Sequence, residues 1–342
     1  MIRRDWQHRF QTMAFTPAQK HLFYTEIAKM VEAGFGIREA GRAMLDTRLP
    51  SLQAQLLRKM DEDLEAGKSI TEAFGADIPS ISELERRIIG AGERGGRLGP
   101  AFQHLADYFG MLATARRDAL QSMAYPLLLL HLGLFVGVLV PGLMGQSDFI
   151  DIAKNFVLVL LALYAAVFIG WIGLSALLAA APANASLDRV LNAIPVLGGA
   201  RRALAMARFT KVYHTCLLAG LSMAETVETA TRAAHSGVIG EAGRQLVATL
   251  AEGGALGPKF VSCGAFPPAF ARSYATAEES GSLDKDLARW SRVYQEDAAR
   301  TVKTASNVVS KLVYFLVLLF IGWTVIKAYS GYYGMMNDLL EE

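Results

Sequence analysis

The sequence predicts an all-α integral membrane protein with two duplicated cytoplasmic helical-bundle domains and three transmembrane helices. Three observations carry this. Residues 119–146, 155–187 and 312–326 contain no Asp, Glu, Lys or Arg. The remaining chain reads as capped helices with apolar residues at helical spacing, and nowhere as the alternation of a strand. Finally, the pattern of the first hundred residues recurs 186 residues later.

Composition narrows the function classes. Of 342 residues, 52% are apolar and 19% charged, and the apolar excess is concentrated in those three stretches. A disordered chain and a plain cytosolic enzyme are both excluded. With 34 basic and 32 acidic residues the net charge is +2, too balanced for a nucleic-acid binder. Cys216 and Cys263 form no CxxC, so neither a disulfide nor a metal site is expected.

Residues 1–15 are a polar N-terminal tail without the apolar core of a signal peptide. The first cytoplasmic domain occupies 16–118. It opens on Thr16, Pro17 and Gln19, an N-cap, a proline at N1 and a capping-box partner. Leu22, Phe23, Ile27, Met30 and Val31 then mark an apolar face up to Gly34. Pro50 and Ser51 start a helix that stops near Gly67. Ser69 with Glu72, and Ser80 with Glu83, read as further capping boxes, and a long helix starts near Pro100.

The first span is expected at 122–145, about 20 residues and therefore about 30 Å at its core. A loop at 146–155 leads to a second span at 156–181. The second cytoplasmic domain covers 187–305, a third span 308–330, and a tail 331–342. Arg116 and Arg117 precede the first span, and Arg189, Arg201, Arg202, Arg208 and Lys211 follow the second. The loop carries Asp148 and Asp151 against one lysine, and the tail is acidic. Basic residues stay on the cytoplasmic side, so the N-terminus is inside and the C-terminus in the periplasm.

The internal match is residue by residue. Phe23 pairs with Phe209, Gly34 with Gly220, and Gly67, Ile70 and Phe74 with Gly253, Leu256 and Phe260. Glu93, Gly96 and Leu98 pair with Glu278, Gly281 and Leu283, the offset slipping to 185. The repeating unit is a helical domain followed by a span.

In these motifs the chain resembles the GspF/PilC family, inner-membrane platform proteins of type II secretion systems and type IV pili. The resemblance rests on the runs Ala33 to Ala40, Gly67 to Phe74 and Ala91 to Leu98, the pair Tyr125-Pro126, and the second-copy runs Ala219 to Ser222 and Ala277 to Leu283. It covers about residues 20 to 330. The longer N-terminal extension of secretion-system members is lacking, which points toward a type IVb-like pilus. The resemblance implies a bacterial inner-membrane, multi-pass, non-catalytic protein that couples a cytoplasmic motor ATPase to pilin or pseudopilin subunits. It further implies homo-oligomers, contact with other inner-membrane assembly proteins and with membrane lipid, and no nucleic acid. The alternative is a small polytopic transporter or an accessory subunit of a membrane enzyme.

No catalytic, cofactor-binding or metal-ligating set emerges. Gly67-Lys68-Ser69 lacks the first glycine and the strand of a phosphate loop, and Gly90, Gly92 and Gly95 end a helix rather than follow a strand. The six histidines have no ligand spacing. His131, within a span and without an acidic partner there, reads as a hydrogen-bonded structural group. The candidate partner-contact or structural corners are Glu93, Gly96 and Leu98 with Glu278, Gly281 and Leu283. Each acid is expected at the first turn of the helix that follows, where a negative charge is worth about 0.3–1 kcal/mol. Gly133 and Gly137, and Ala162, Ala166 and Gly170, are candidate helix-packing faces in the membrane.

Overall fold

A computed structural model describes residues 15–47, 49–75, 81–144 and 149–341. Those residues form helices and connecting turns, with no strand among them. The chain divides into two compact units, Met1–Arg116 with Ala181–Ala299, and Arg117–Ala180 with Arg300–Glu342.

The first unit contains two runs of helices. In the first run, α1 (Pro17–Glu32) starts where Thr16 caps the Gln19 amide and the Gln19 side chain returns to the Thr16 backbone, worth about 1 kcal/mol of helix stability. Its inward face is Lys20, Phe23, Tyr24, Ile27 and Ala28, whereas Leu22 is exposed. Phe23 and Ile27 thus face inward as expected, and Met30 and Val31 pack half-buried against the core; Leu22 departs, and Lys20 and Tyr24 share the inward face. α2 (Ile37–Leu45), α3 (Ser51–Glu65), α4 (Ile70–Ala73), α5 (Glu83–Arg94) and α6 (Leu98–Met144) follow. The cap of α5 is Ser82 with Glu85, two residues past the expected box. Ser80 lies outside the described residues.

The second run is α8 (Ala185–Ala193), α9 (Leu197–Leu218), α10 (Met223–Ala233), α11 (Gly237–Ala251), α12 (Leu256–Ser262), α13 (Pro268–Glu279) and α14 (Leu283–Glu341). Helix α11 repeats both ends of α3 at an offset of 186. α10 and α12 repeat the starts of α2 and α4 at the same offset. From α5 and α13 onward the offset is 185, since α13 starts 12 residues after α12 while α5 starts 13 after α4. The buried side chains of both runs join in one core, with Tyr24, Phe102 and Phe109 stacked in the first and Phe209, Phe260, Phe270 and Tyr274 clustered in the second.

The two runs meet where α5 packs on α9 and α10. There Arg87 pairs with Glu83 at 2.6 Å and with Glu228 at 3.2 Å, while Arg232 pairs with Glu83 at 3.0 Å and Glu228 at 2.5 Å. Four alternating charges thus close a ring across the junction. Lys211 adds a pair with Asp107 at 3.2 Å.

In the second unit, α7 (Phe149–Ala180) joins parts of α6 and α14. Phe156–Ala183 and Leu283–Trp323 are long and apolar enough to cross a membrane. The expected first span lies on α6, and much of it falls outside the residues whose side chains are described. Helix α7 starts at Phe149, within the expected loop, with Asp151 in its first turn, where it complements the helix dipole. The expected tail is likewise helical to Glu341.

Candidate functional site

The two acid corners begin at a helix stop. At the end of α5 the Arg97 amide reaches the Gly92 carbonyl at 2.7 Å and the Gly96 amide that of Glu93 at 3.2 Å. This pattern needs a left-handed residue after the cap, and Gly96 supplies it with φ 64°. After α13, Ser282 reaches Ala277 and Gly281 reaches Glu278, with Gly281 at φ 66°. Leu98 and Leu283, the first residues of α6 and α14, pack half-buried against the core.

The carboxylates do not serve the helix that follows. Glu93 accepts the Ile70 amide at 2.6 Å, the Thr71 amide at 2.9 Å and the Thr71 hydroxyl at 2.5 Å. Glu278 accepts the Leu256 amide at 3.0 Å and the Gly257 amide at 2.6 Å. Each acid therefore caps the short helix before it, α4 or α12, from some 22 residues further along the chain. The physical reason is the direction of the side chain. A residue in the last turn of a helix points back toward that helix's start, away from the turn that follows and toward the neighbouring short helix. Burial pushes the Glu93 carboxyl up, but the Thr71 hydroxyl and the two amides outweigh it and hold the group below the usual carboxylate range.

The same contacts dispose of the apparent phosphate loop. The first-turn amides that a phosphate would need at Gly67-Lys68-Ser69 are already taken by Glu93, and Ser69 is engaged with Glu72. Gly90 and Gly92 lie inside α5, and a Cβ on Gly92 would stand 2.5 Å from the Ala101 Cβ. Close packing of α5 on α6 accounts for that glycine. Among the described residues no group of His, Cys, Asp and Glu has the arrangement of a metal site.

In the second unit, a Cβ on Gly133 would meet the Val317 Cγ1 at 2.6 Å, so α6 and α14 approach closely there. The surroundings of Gly137 lie outside the described residues. Ala162, Ala166 and Gly170 are exposed on α7, and a Cβ on Gly170 would meet nothing within 4 Å. The structure thus brings Gly133 to a helix contact and leaves the α7 stripe open. His131 lies 2.6 Å from the Leu127 carbonyl and 2.5 Å from the Tyr164 hydroxyl, both ring nitrogens being engaged.

Two buried polar clusters escaped sequence reasoning. Glu85, fully buried, holds the Lys20 ammonium at 2.6 Å, the Tyr24 hydroxyl at 2.6 Å and the Ser82 amide at 2.7 Å. Asp188, 1% exposed, holds Arg201 at 2.8 Å, the Ser236 hydroxyl at 2.5 Å and the Val238 amide at 3.2 Å. Burial raises the Asp188 carboxyl, and these three donors more than offset that and lower it. The available signal was a charge on the apolar face, three residues before Phe23 for Lys20 and three before Ile88 for Glu85.

Comparison with known proteins matches this architecture twice over. The family model of Type II secretion system (T2SS), protein F fits residues 23–144 and again 209–330. The chain is 26% identical to Type II secretion system protein F of Pseudomonas aeruginosa over 81% of this chain and 73% of that protein. It is 23% identical to the Type 4 fimbrial assembly protein PilC of Pseudomonas putida over 90% and 81%. Type II secretion system protein F of Aeromonas hydrophila is 25% identical over 92% and 87%. With the family model covering most of its length in two matching blocks, the chain belongs to the GspF/PilC family, the family of Type II secretion system protein F.

Proposed function

We propose that this protein is the inner-membrane platform on which a type IV pilus or a type II secretion pseudopilus is assembled. In this reading it is a non-catalytic homo-oligomer that passes the conformational change of a cytoplasmic motor ATPase to pilin or pseudopilin subunits. The observation that carries it is the doubling: one family model fits the chain twice, and the helix ends recur at the same offset. We read this as an internal duplication, each copy a cytoplasmic helical bundle leading into a span. Helices α6 and α14 each begin in a bundle and run without interruption, over 47 and 59 residues in all, and an unbroken helix transmits a push along its axis. With α7 this makes three spans, an N-terminus inside and the C-terminus outside, as the distribution of basic residues requires.

The test has two parts. Reporter fusions after Gln146 and Asp338 should both read as periplasmic and a fusion at Glu252 as cytoplasmic; a cytoplasmic C-terminus overturns the three-span reading. The full chain in detergent should bind its cognate motor ATPase and hydrolyse no nucleotide itself. Hydrolysis abolished by Lys68→Ala would overturn the non-catalytic assignment.

A further inference from the structure

We propose that α8 and the turn 193–196 form a foot that inserts among the anionic lipid headgroups at the end of α7. The inference rests on α7 spanning the bilayer, and is independent of the motor coupling.

The turn is Ala193-Ile194-Pro195-Val196, four consecutive apolar residues, all exposed. Val190, one turn earlier on α8, is 64% exposed, Ile194 41% and Val196 38%. The opposite face of α8 is anchored: Asp188 and Leu191 are buried, and the helix packs on α9 and α11. That anchoring keeps Val190 and Ile194 outward. Contiguous exposed apolar residues of this kind mark a surface that something covers. The backbone supports the same reading, because Val196 has φ 69°. A β-branched residue is a true outlier there, and such strain persists where a site requires it.

Two observations select lipid as the cover. Only Ala181–Ala183 and Asn184 separate the end of α7 from the start of α8. Four residues reach at most about 14 Å, so α8 begins within that distance of the end of α7, and its nine residues put the turn about 14 Å further along the chain. Exposed arginines also outnumber the acid beside the turn. Between 181 and 202 the one acid is Asp188, buried and held by Arg201. Arg189 and Arg202 are exposed beside the turn, Arg189 reaching Glu241 at 3.1 Å and Arg202 the Asn192 carbonyl at 2.7 Å. An anionic bilayer surface complements both the arginines and the apolar turn.

Nitroxide labels on the full chain test this, in vesicles of phosphatidylethanolamine and phosphatidylglycerol. Single cysteines replace Ile194, Val196, Phe168 or Val261 in a Cys216→Ala, Cys263→Ser background. Phe168, on α7, and Val261, on α12, are both exposed. Relaxation by oxygen should exceed that by an aqueous nickel chelate at 168, 194 and 196, and the order should reverse at 261. If 168 is lipid-exposed while 194 and 196 behave like 261, the foot is refuted and the span stands. If 168 is also aqueous, the span itself fails. Shielding of 194 and 196 from both reagents would mean that protein covers the turn, which overturns the proposal too. Amide exchange of the unlabelled chain gives a second reading: protection at 196–197 should rise on going from phosphatidylcholine to phosphatidylglycerol vesicles, and equal exchange in both would remove the role given to the arginines.

Discussion

Glu93 and Glu278 are each a single carboxylate that fixes a helix start from a distance. A carboxylate accepting two amides is worth about 1–3 kcal/mol, and glutamine keeps one acceptor oxygen. Glu93→Gln and Glu278→Gln should therefore each cost about 1–2 kcal/mol, read as a lower Tm of the full chain in detergent. The Glu93 effect carries a pH signature. Its folded carboxyl lies below the usual range, so its stabilising contribution is complete above the unfolded value of about 4.3 and fades as pH falls through the lower folded value. The gap in Tm between wild type and Glu93→Gln should thus be full at pH 7 and close under acid. A gap that does not change with pH would show that the charge is not what α4 needs. If both variants melt like the wild type but no longer bind the motor ATPase, the corner is a partner site rather than a structural one.

At the scale of elements, Gly133 makes the closest approach of the described glycines in the second unit, against Val317. A methyl at 133 would stand 2.6 Å from the Val317 Cγ1, inside any real contact distance. Gly133→Ala should destabilise by about 1–3 kcal/mol, the usual result of overpacking. Gly133→Ala with Val317→Ala should recover part of that, because the clash is removed from the other side. Equal melting of the single and double variants would place the strain elsewhere. Helix starts were legible in the sequence where they are local: Thr16 with Gln19 and Ser69 with Glu72 are capping boxes in the structure. The cap that Glu93 places on α4 was not, since its partners lie 22 and 23 residues away and no short motif records that separation. Lys20 and Glu85 were missed for a related reason. Charges are read as solvated by default, and only a fold that brings two of them together can bury both.

For the molecule as a whole, the ring of Glu83, Arg87, Glu228 and Arg232 joins the two helical runs. Its members are a quarter to more than half exposed, so each pair contributes at most about 1 kcal/mol and is screened by salt. Arg87→Ala should lower the Tm of the full chain in 50 mM salt and much less in 1 M, where the screening length is about 3 Å. A loss equal at both salts would assign the effect to the packing of the arginine stem. The recurrence of helix starts at an offset of 186 was legible because offsets survive as spacing, whereas this junction was not, because its charges belong to segments about 140 residues apart.

The buried cluster of Lys20, Tyr24 and Glu85 has a consequence for inheritance. At the matching positions of the second run stand Met206, Thr210 and Phe270, all buried. Under the duplication proposed above, a gene with two like halves is exposed to deletion by recombination between them. A crossover between α1 and α13 would join Lys20 and Tyr24 to Phe270 and leave the ammonium buried without its carboxylate. An uncompensated buried charge costs about 3–5 kcal/mol, a large part of the roughly 5–15 kcal/mol that holds a domain together. The shortened product would lose much of its margin of stability, so the divergence of the two interiors disfavours that particular deletion.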